Sequence, residues 1–132
     1  MARVIGPDAF ERTMEEILGE VPRHLDEELP KAVSKSVQLG RRRIRENVAA
    51  LGGWGVRTGR YVGGWATRRK KAGREWSGVV YNKDVPGLAH LLEKGHAKVG
   101  GGRVAGREHI APAAEDAFSD FEERVRGAVG SL

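Results

Sequence analysis

The period of the apolar positions changes along the chain, and each change predicts an element. After Gly6-Pro7-Asp8, the residues Phe10, Met14, Ile17 and Leu18 recur at helical spacing. Pro7 suits a first helical turn there and Gly19 a stop. A second stripe starts at Val21-Pro22 and continues through Leu25, Leu29, Val33, Val37, Ile44, Val48 and Leu51 at steps of three, four or seven. That spacing predicts a long helix of about 45 Å, at ~1.5 Å per residue, ended by Gly52-Gly53. Pro30 lies inside it and either kinks the helix or marks its true beginning. A helix this long in a small domain is expected to keep part of its apolar stripe uncovered, for a neighbouring subunit to cover.

Beyond residue 60 the pattern shortens. Tyr61, Val62, Trp65, Trp76, Val79, Val80 and Tyr81 are residue types that favour strands. They predict strands over Arg60–Arg69 and Arg74–Asn82, joined by the polar turn Lys70-Lys71-Ala72-Gly73. Val85-Pro86-Gly87 reads as a turn, Leu88–Lys94 as a short helix ended by Gly95, and Lys98–Gly106 as a mobile loop or hairpin tip. Ala111-Pro112 opens a last helix, with Ala114, Ala117, Phe118, Phe121, Val125 and Val129 on one face. The expected fold is therefore α+β: a long N-terminal helix, a small antiparallel β-sheet, then a short helix and a C-terminal helix packed on the sheet. Residues 1–132 read as one domain, within which 1–20 are a candidate separate N-terminal helix; no repeat or clear linker interrupts it.

Composition changes this picture in three ways. With 39% hydrophobic and 31% charged residues, the chain has the balance of a folded globular protein rather than a disordered one. It has no cysteine, which excludes disulfides and thiolate metal sites. No apolar run approaches the ~18 residues that span a bilayer, and Met1–Pro7 lack the apolar stretch of a signal peptide, so no membrane partner is expected. The net charge of +5 is unevenly spread. Acids dominate from Asp8 to Glu28. From Lys35 to Arg74 only Glu46 stands against a long series of cations, including Arg41, Arg42, Arg43, Arg45, Arg68, Arg69, Lys70 and Lys71. Glu115, Asp116, Asp120, Glu122 and Glu123 make the end acidic again. Such segregation suits charge-complementary contacts between copies or with other partners, and the basic middle suits nucleic acid.

Candidate chemistry changes the picture little. His90, Glu93 and His96 are metal-ligating types, but zinc-protease helices need histidines four apart, and these are six apart on different helix faces. Gly100-Gly101-Gly102-Arg103-Val104-Ala105-Gly106 is glycine-rich like a phosphate loop, yet it neither follows a buried strand nor feeds a helix through Lys-Ser or Lys-Thr. Ser34, Ser36, Ser77, Ser119 and Ser131 are not in a strand–turn–helix elbow, and no spacing pairs a serine with a histidine. No pair of carboxylates sits in an apolar setting that would separate their pKa values. The expectation is a protein without catalytic residues, cofactor or metal.

Two stretches carry a family resemblance. One is Arg57-Thr58-Gly59-Arg60-Tyr61-Val62-Gly63-Gly64-Trp65. The other runs from Val80-Tyr81-Asn82-Lys83 through Leu88-Ala89-His90-Leu91-Leu92-Glu93-Lys94-Gly95-His96-Ala97-Lys98 and Gly100-Gly101-Gly102-Arg103-Val104 to Glu108-His109-Ile110-Ala111-Pro112-Ala113. Over roughly residues 35 to 125 the chain resembles the minor tail-component family named for the gene-ten product of phage HK ninety-seven. It departs from some members in having Arg107-Glu108 before His109, where they have Arg-Pro or a similar pair. The resemblance implies a structural virion protein of a tailed bacteriophage or prophage, acting in head–tail joining or tail completion. It implies a ring homo-oligomer that meets connector and tail-tube proteins, sits in the virion's neck or tail, and is made in the bacterial host cytoplasm. Within these motifs Tyr61, Trp65, Trp76, Leu88, Leu91, Leu92, Gly95 and Pro112 are expected to specify the fold, with the aromatics anchoring the sheet and the leucines packing the short helix on it. His96, Lys98, Gly100, Gly101, Gly102 and Arg103 have no evident core role and are the expected assembly contacts. The rival expectation is a DNA-binding module using the basic Arg41–Arg74 region, and non-specific contact with packaged DNA is compatible with either.

Overall fold

The computed structural model describes residues 9–13, 23–53, 59–73 and 75–130. In chain order these form β1 (Ala9–Thr13), a 3-10 turn (Arg23–Asp26), α1 (Glu28–Leu51), a helical turn α2 (Arg60–Gly63), β2 (Trp65–Ala72), β3 (Glu75–Asn82), α3 (Pro86–Lys94), β4 (Gly95–Ala97), β5 (Arg103–Ala105) and α4 (Ala111–Gly130). The fold is α+β. β3 is the centre of an antiparallel three-stranded sheet in the order β1-β3-β2, and β4 and β5 form a separate two-stranded hairpin.

The long helix forms where the apolar stripe predicts, but it begins at Glu28. Pro30 therefore falls in the first turn, where a missing N–H removes no intrahelical bond and the proline initiates rather than kinks. At 24 residues α1 is about 36 Å long. Leu29, Ala32, Val33, Ser36, Val37, Gly40, Ile44 and Val48 are buried along it. The expectation that part of this stripe waits for another subunit is corrected: α4 lies along α1, and β2 and β3 cover the adjoining flank. Two clusters result. Val37, Ile44 and Val48 meet Tyr61, Trp65, Val80, Ala89, Ile110, Ala113, Ala114 and Ala117, while Leu29, Ala32 and Val33 meet Phe121 and Val125, with Trp76 against them.

Close approach of α1 to the sheet depends on Gly78. A Cβ there would lie 2.4 Å from Val37 Cγ1 and 2.7 Å from Val33 Cγ1, so only glycine lets the helix settle on the middle of β3. α4 reaches the sheet at the same place, where Ala117, Phe118 and Phe121 line a small apolar gap with Val33, Val37 and Gly78.

Two further expectations are corrected. The spacing places Phe10 in a first helix, but Ala9–Thr13 is a strand paired with Ser77–Tyr81; the rest of that expected helix lies outside the described residues. The apolar-polar pattern over five residues fits either period, and the open edge of β3 decides for a strand. The first hairpin strand starts at Trp65, not Arg60, because Arg60–Gly63 closes a helical turn with Gly63 N–H donating to Gly59 O at 2.9 Å. It also runs on through Lys70 and Lys71 to Ala72, so the turn shrinks to a tip that Gly73 enters with positive φ.

Candidate assembly surface

The chemistry of α3, the β4–β5 hairpin and the start of α4 is organised by Glu93. α4 begins at Ala111, and the residues before it, Glu108-His109-Ile110, include none of the short polar side chains that cap a helix locally. Glu93, in the last turn of α3, supplies the cap from a distance. Its Oε1 accepts from the backbone N–H of His109 at 2.8 Å and of Ile110 at 2.9 Å, and its Oε2 from that of Ala111 at 3.0 Å. A carboxylate is unfavourable at a helix C-terminus and favourable at an N-terminus. Three charge-assisted bonds to α4 decide the balance, and the residue is 3% exposed.

His109 extends the network. Its Nδ1 faces Arg107 O at 2.7 Å and Glu93 Oε1 at 3.0 Å, both acceptors, so Nδ1 carries the proton. Its Nε2 is hydrogen-bonded to the Tyr61 hydroxyl, and in the neutral imidazole it is the acceptor of that bond. Burial, and secondarily the charge on Glu93, push the ionisation of Tyr61 above its ordinary range, which keeps that hydroxyl a donor. The rings of Tyr61, Trp65 and His109 stand edge to face, with centroids 5.5 Å apart for Tyr61–Trp65 and Tyr61–His109. Acid, imidazole and phenol in sequence resemble a proton relay in composition, but His109 and Tyr61 are buried to 0% and 4% exposure. They bond to groups within the protein, and the arrangement joins α2, α3 and α4 in one buried knot.

Behind this knot the hairpin leaves the body through a glycine neck. Gly95 has φ of 84°, and a Cβ on it would lie 2.4 Å from Val104 O; one on Gly106 would lie 2.4 Å from Lys94 C. Beyond the neck the chain is open. Residues 97–105 are all exposed, and Val99 at the tip is fully so. Lys98 N–H donates to Gly102 O at 3.0 Å, closing a tip whose Gly100, Gly101 and Gly102 all have positive φ. The expected assembly contacts thus fall on one projecting element: Lys98, Gly100, Gly101, Gly102 and Arg103 along its exposed part, and His96 half-buried at its base, paired with Val104. Arg103 also donates to Lys94 O at 3.3 Å. The Nδ1 of His96 is buried without a hydrogen-bond partner, as is Trp65 Nε1.

The expected fold-specifying residues divide. Tyr61 and Trp65 are buried at the centre, Trp76 packs half-buried against α1 and α4, Gly95 makes the neck and Pro112 sits in the first turn of α4. Leu88 and Leu91 are a correction. They are 43% and 38% exposed, while Ala89 and Glu93 on the opposite face are buried and Leu92 packs half-buried against the core. α3 is turned so that Glu93 can reach α4, and that rotation carries the two leucines outward. His90 is exposed and Glu93 is turned inward, so the His90, Glu93, His96 set is not brought together, and among the described residues no group of three or more metal-ligating side chains converges.

Sequence reasoning missed the Glu93–His109–Tyr61 network. Its members are 16 and 48 residues apart, beyond any spacing rule. A usable signal was present: a helix start at Ala111-Pro112 without a local capping side chain requires an acceptor from elsewhere.

The basic region is also sorted by the fold. Arg41 Nε donates to Trp65 O at 2.7 Å, and Arg69 Nη1 donates to Pro30 O at 2.9 Å and Ser34 Oγ at 2.8 Å. Arg43 pairs with Glu46 and Asp116 across α1 and α4. Arg68, Lys70 and Lys71 remain exposed on β2. No helix among the described residues is long and apolar enough to cross a membrane. Compared with models of protein families, with curated proteins and with solved structures, the chain matches none of them.

Proposed function

We propose that this protein is a structural subunit of a tailed bacteriophage or prophage, placed in the neck or at the tail end, that works by assembling into a ring and carries out no catalysis. The observation that supports this reading best is the β4–β5 hairpin. It carries the residues expected as assembly contacts, exposed from Lys98 to Arg103 with His96 half-buried below them, on a base fixed by the Gly95–Gly106 neck and the Glu93 cap. Beyond its buried base the hairpin packs on nothing among the described residues, and an exposed apolar side chain such as Val99 at its tip suits insertion into a neighbour. Leu88 and Leu91, outward on α3, extend the apolar area available beside it. The groups best suited to chemistry are enclosed and bonded to one another, which favours assembly over catalysis as their reason for being present.

In this reading the partners are further copies of the chain and the phage connector and tail-tube proteins. A heterologous contact between hairpin and neighbour closes into a ring when its rotation divides a full turn. Electron microscopy of the protein alone and with connectors and tail tubes tests it. Rings, or attachment to tube ends, are expected, and both should be lost in Val99→Asp with Lys98→Glu. A protein that stays monomeric and ignores connectors and tubes sinks the proposal.

A further inference from the structure

Among the described residues β2 is an edge strand, and α1 runs antiparallel beside it. The contact from Arg41 to Trp65 fixes one end, and that from Arg69 to Pro30 and Ser34 fixes the other. Helix positions 34, 38, 41 and 45 therefore share the stripe along the strand. Gln38, Arg41, Arg42, Arg45 and Glu46 line a shallow groove on this side of the helix, where three arginines outnumber the one carboxylate. The strand adds cations on both of its faces. In the β2–β3 register, Arg68 and Lys70 stand with Val79 and Ser77 on the face away from α1, and Arg69 and Lys71 stand with Gly78 and Trp76 on the face toward it. One margin of the molecule thus brings together exposed Arg45, Arg68, Lys70 and Lys71, beside the half-buried Arg41 that bonds to Trp65 O.

We infer that this margin is a seat for the phosphate backbone of double-stranded DNA, indifferent to sequence. Three observations select that partner. The aromatic rings nearby are already covered: the Arg68 guanidinium lies 5.5 Å from the centre of the Tyr81 ring, and Arg69 and Lys71 lie 5.1 and 5.4 Å from that of Trp76. They hold cations in place and offer no platform on which a single-stranded base can stack. The cations are strung along an edge strand and the flank of the helix beside it, a spread that suits a row of phosphates. An acidic face of a second copy is the other conceivable occupant. Five of its acids, Glu28, Glu46, Asp84, Asp116 and Asp120, already hold a cation of their own, which disfavours that occupant, although Glu27, Glu108, Glu115 and Glu123 stay exposed. The same margin also keeps edge strand β2 from pairing with another strand, since cations on an edge oppose such pairing.

This inference is independent of how the hairpin assembles, and the test separates the two. Purified protein is titrated with duplexes of two unrelated sequences, and with single strands, across a series of salt concentrations. Equal affinity for both duplexes is expected, with a Kd of roughly 10⁻⁴ to 10⁻⁶ M near physiological salt and a steep fall as salt rises. The double variant Arg68→Glu, Lys70→Glu lies wholly on exposed positions; it should weaken binding at least tenfold and lower the salt slope by about 2. Lys70→Arg should bind as the parent does. The inference is overturned if duplex is not bound at low salt, if single strands are preferred, or if one duplex sequence is bound selectively at high salt. It is also overturned if the double variant binds DNA unchanged while losing self-association, which would assign the margin to a second copy. Attachment to tail tubes is scored separately, so loss of one behaviour does not imply loss of the other.

Discussion

At the scale of single residues, Glu93 is the side chain on which most else depends. Glu93→Ala would leave three N–H groups at a buried helix start without an acceptor. The expected loss is about 3–5 kcal/mol, read from the midpoint of urea unfolding, and a loss under about 1 kcal/mol would show that water caps α4 instead. Glu93→Gln, which keeps one acceptor oxygen, should lose less. Tyr61 gives the pH dependence. Its folded ionisation lies above the ordinary value near 10, so above that pH the unfolded chain binds fewer protons than the folded one. The stabilisation linked to Tyr61 is therefore complete below pH 10 and declines as pH rises beyond it. Tyr61→Phe should be less stable at pH 8 and show a shallower decline between pH 9 and pH 11, measured by urea unfolding at each pH. An equal decline in both proteins would remove Tyr61 from the explanation.

At the scale of elements, glycines separate positions the backbone requires from positions it merely tolerates. Gly95→Ala meets both a positive φ and a backbone oxygen 2.4 Å from the new Cβ, so more than about 2 kcal/mol should be lost as the hairpin neck opens. Gly127, inside α4, has nothing within 4 Å of where an alanine methyl would stand, and Gly127→Ala should stabilise by about 0.5–1 kcal/mol through helix propensity. Thermal unfolding of the two variants should therefore move in opposite directions. Shifts of the same sign would mean that the neck is not a constrained crossing.

At the scale of the whole molecule, burial separates the groups that hold the fold from the groups left for partners. Trp65 is fully buried where α1, α2, α3 and α4 meet, and Trp65→Ala should cost about 3–5 kcal/mol. Leu88→Ser with Leu91→Ser, on the open face of α3, should change stability by no more than about 1 kcal/mol and weaken attachment to connectors or tail tubes. If instead the leucine variant unfolds and retains attachment, the outward face of α3 has been misassigned.

The sequence by itself determined the elements whose period is long and uniform. α1 and α4 carry apolar stripes of several turns, and that periodicity survives any arrangement of neighbours. The glycine-rich tip between His96 and Arg103 was legible for a related reason, since three glycines in a row exclude both a helix and a packed strand. The tertiary structure decided what short patterns leave open. Ala9–Thr13 is a strand because β3 has an edge to pair with, and Leu88 and Leu91 face outward because Glu93 must face α4. It also decided which cations are engaged inside the molecule, as with Arg41 and Arg69, and which margin remains charged. Spacing rules describe residues within a few turns of each other, whereas Glu93, His109 and Tyr61 meet only after the chain has closed on itself.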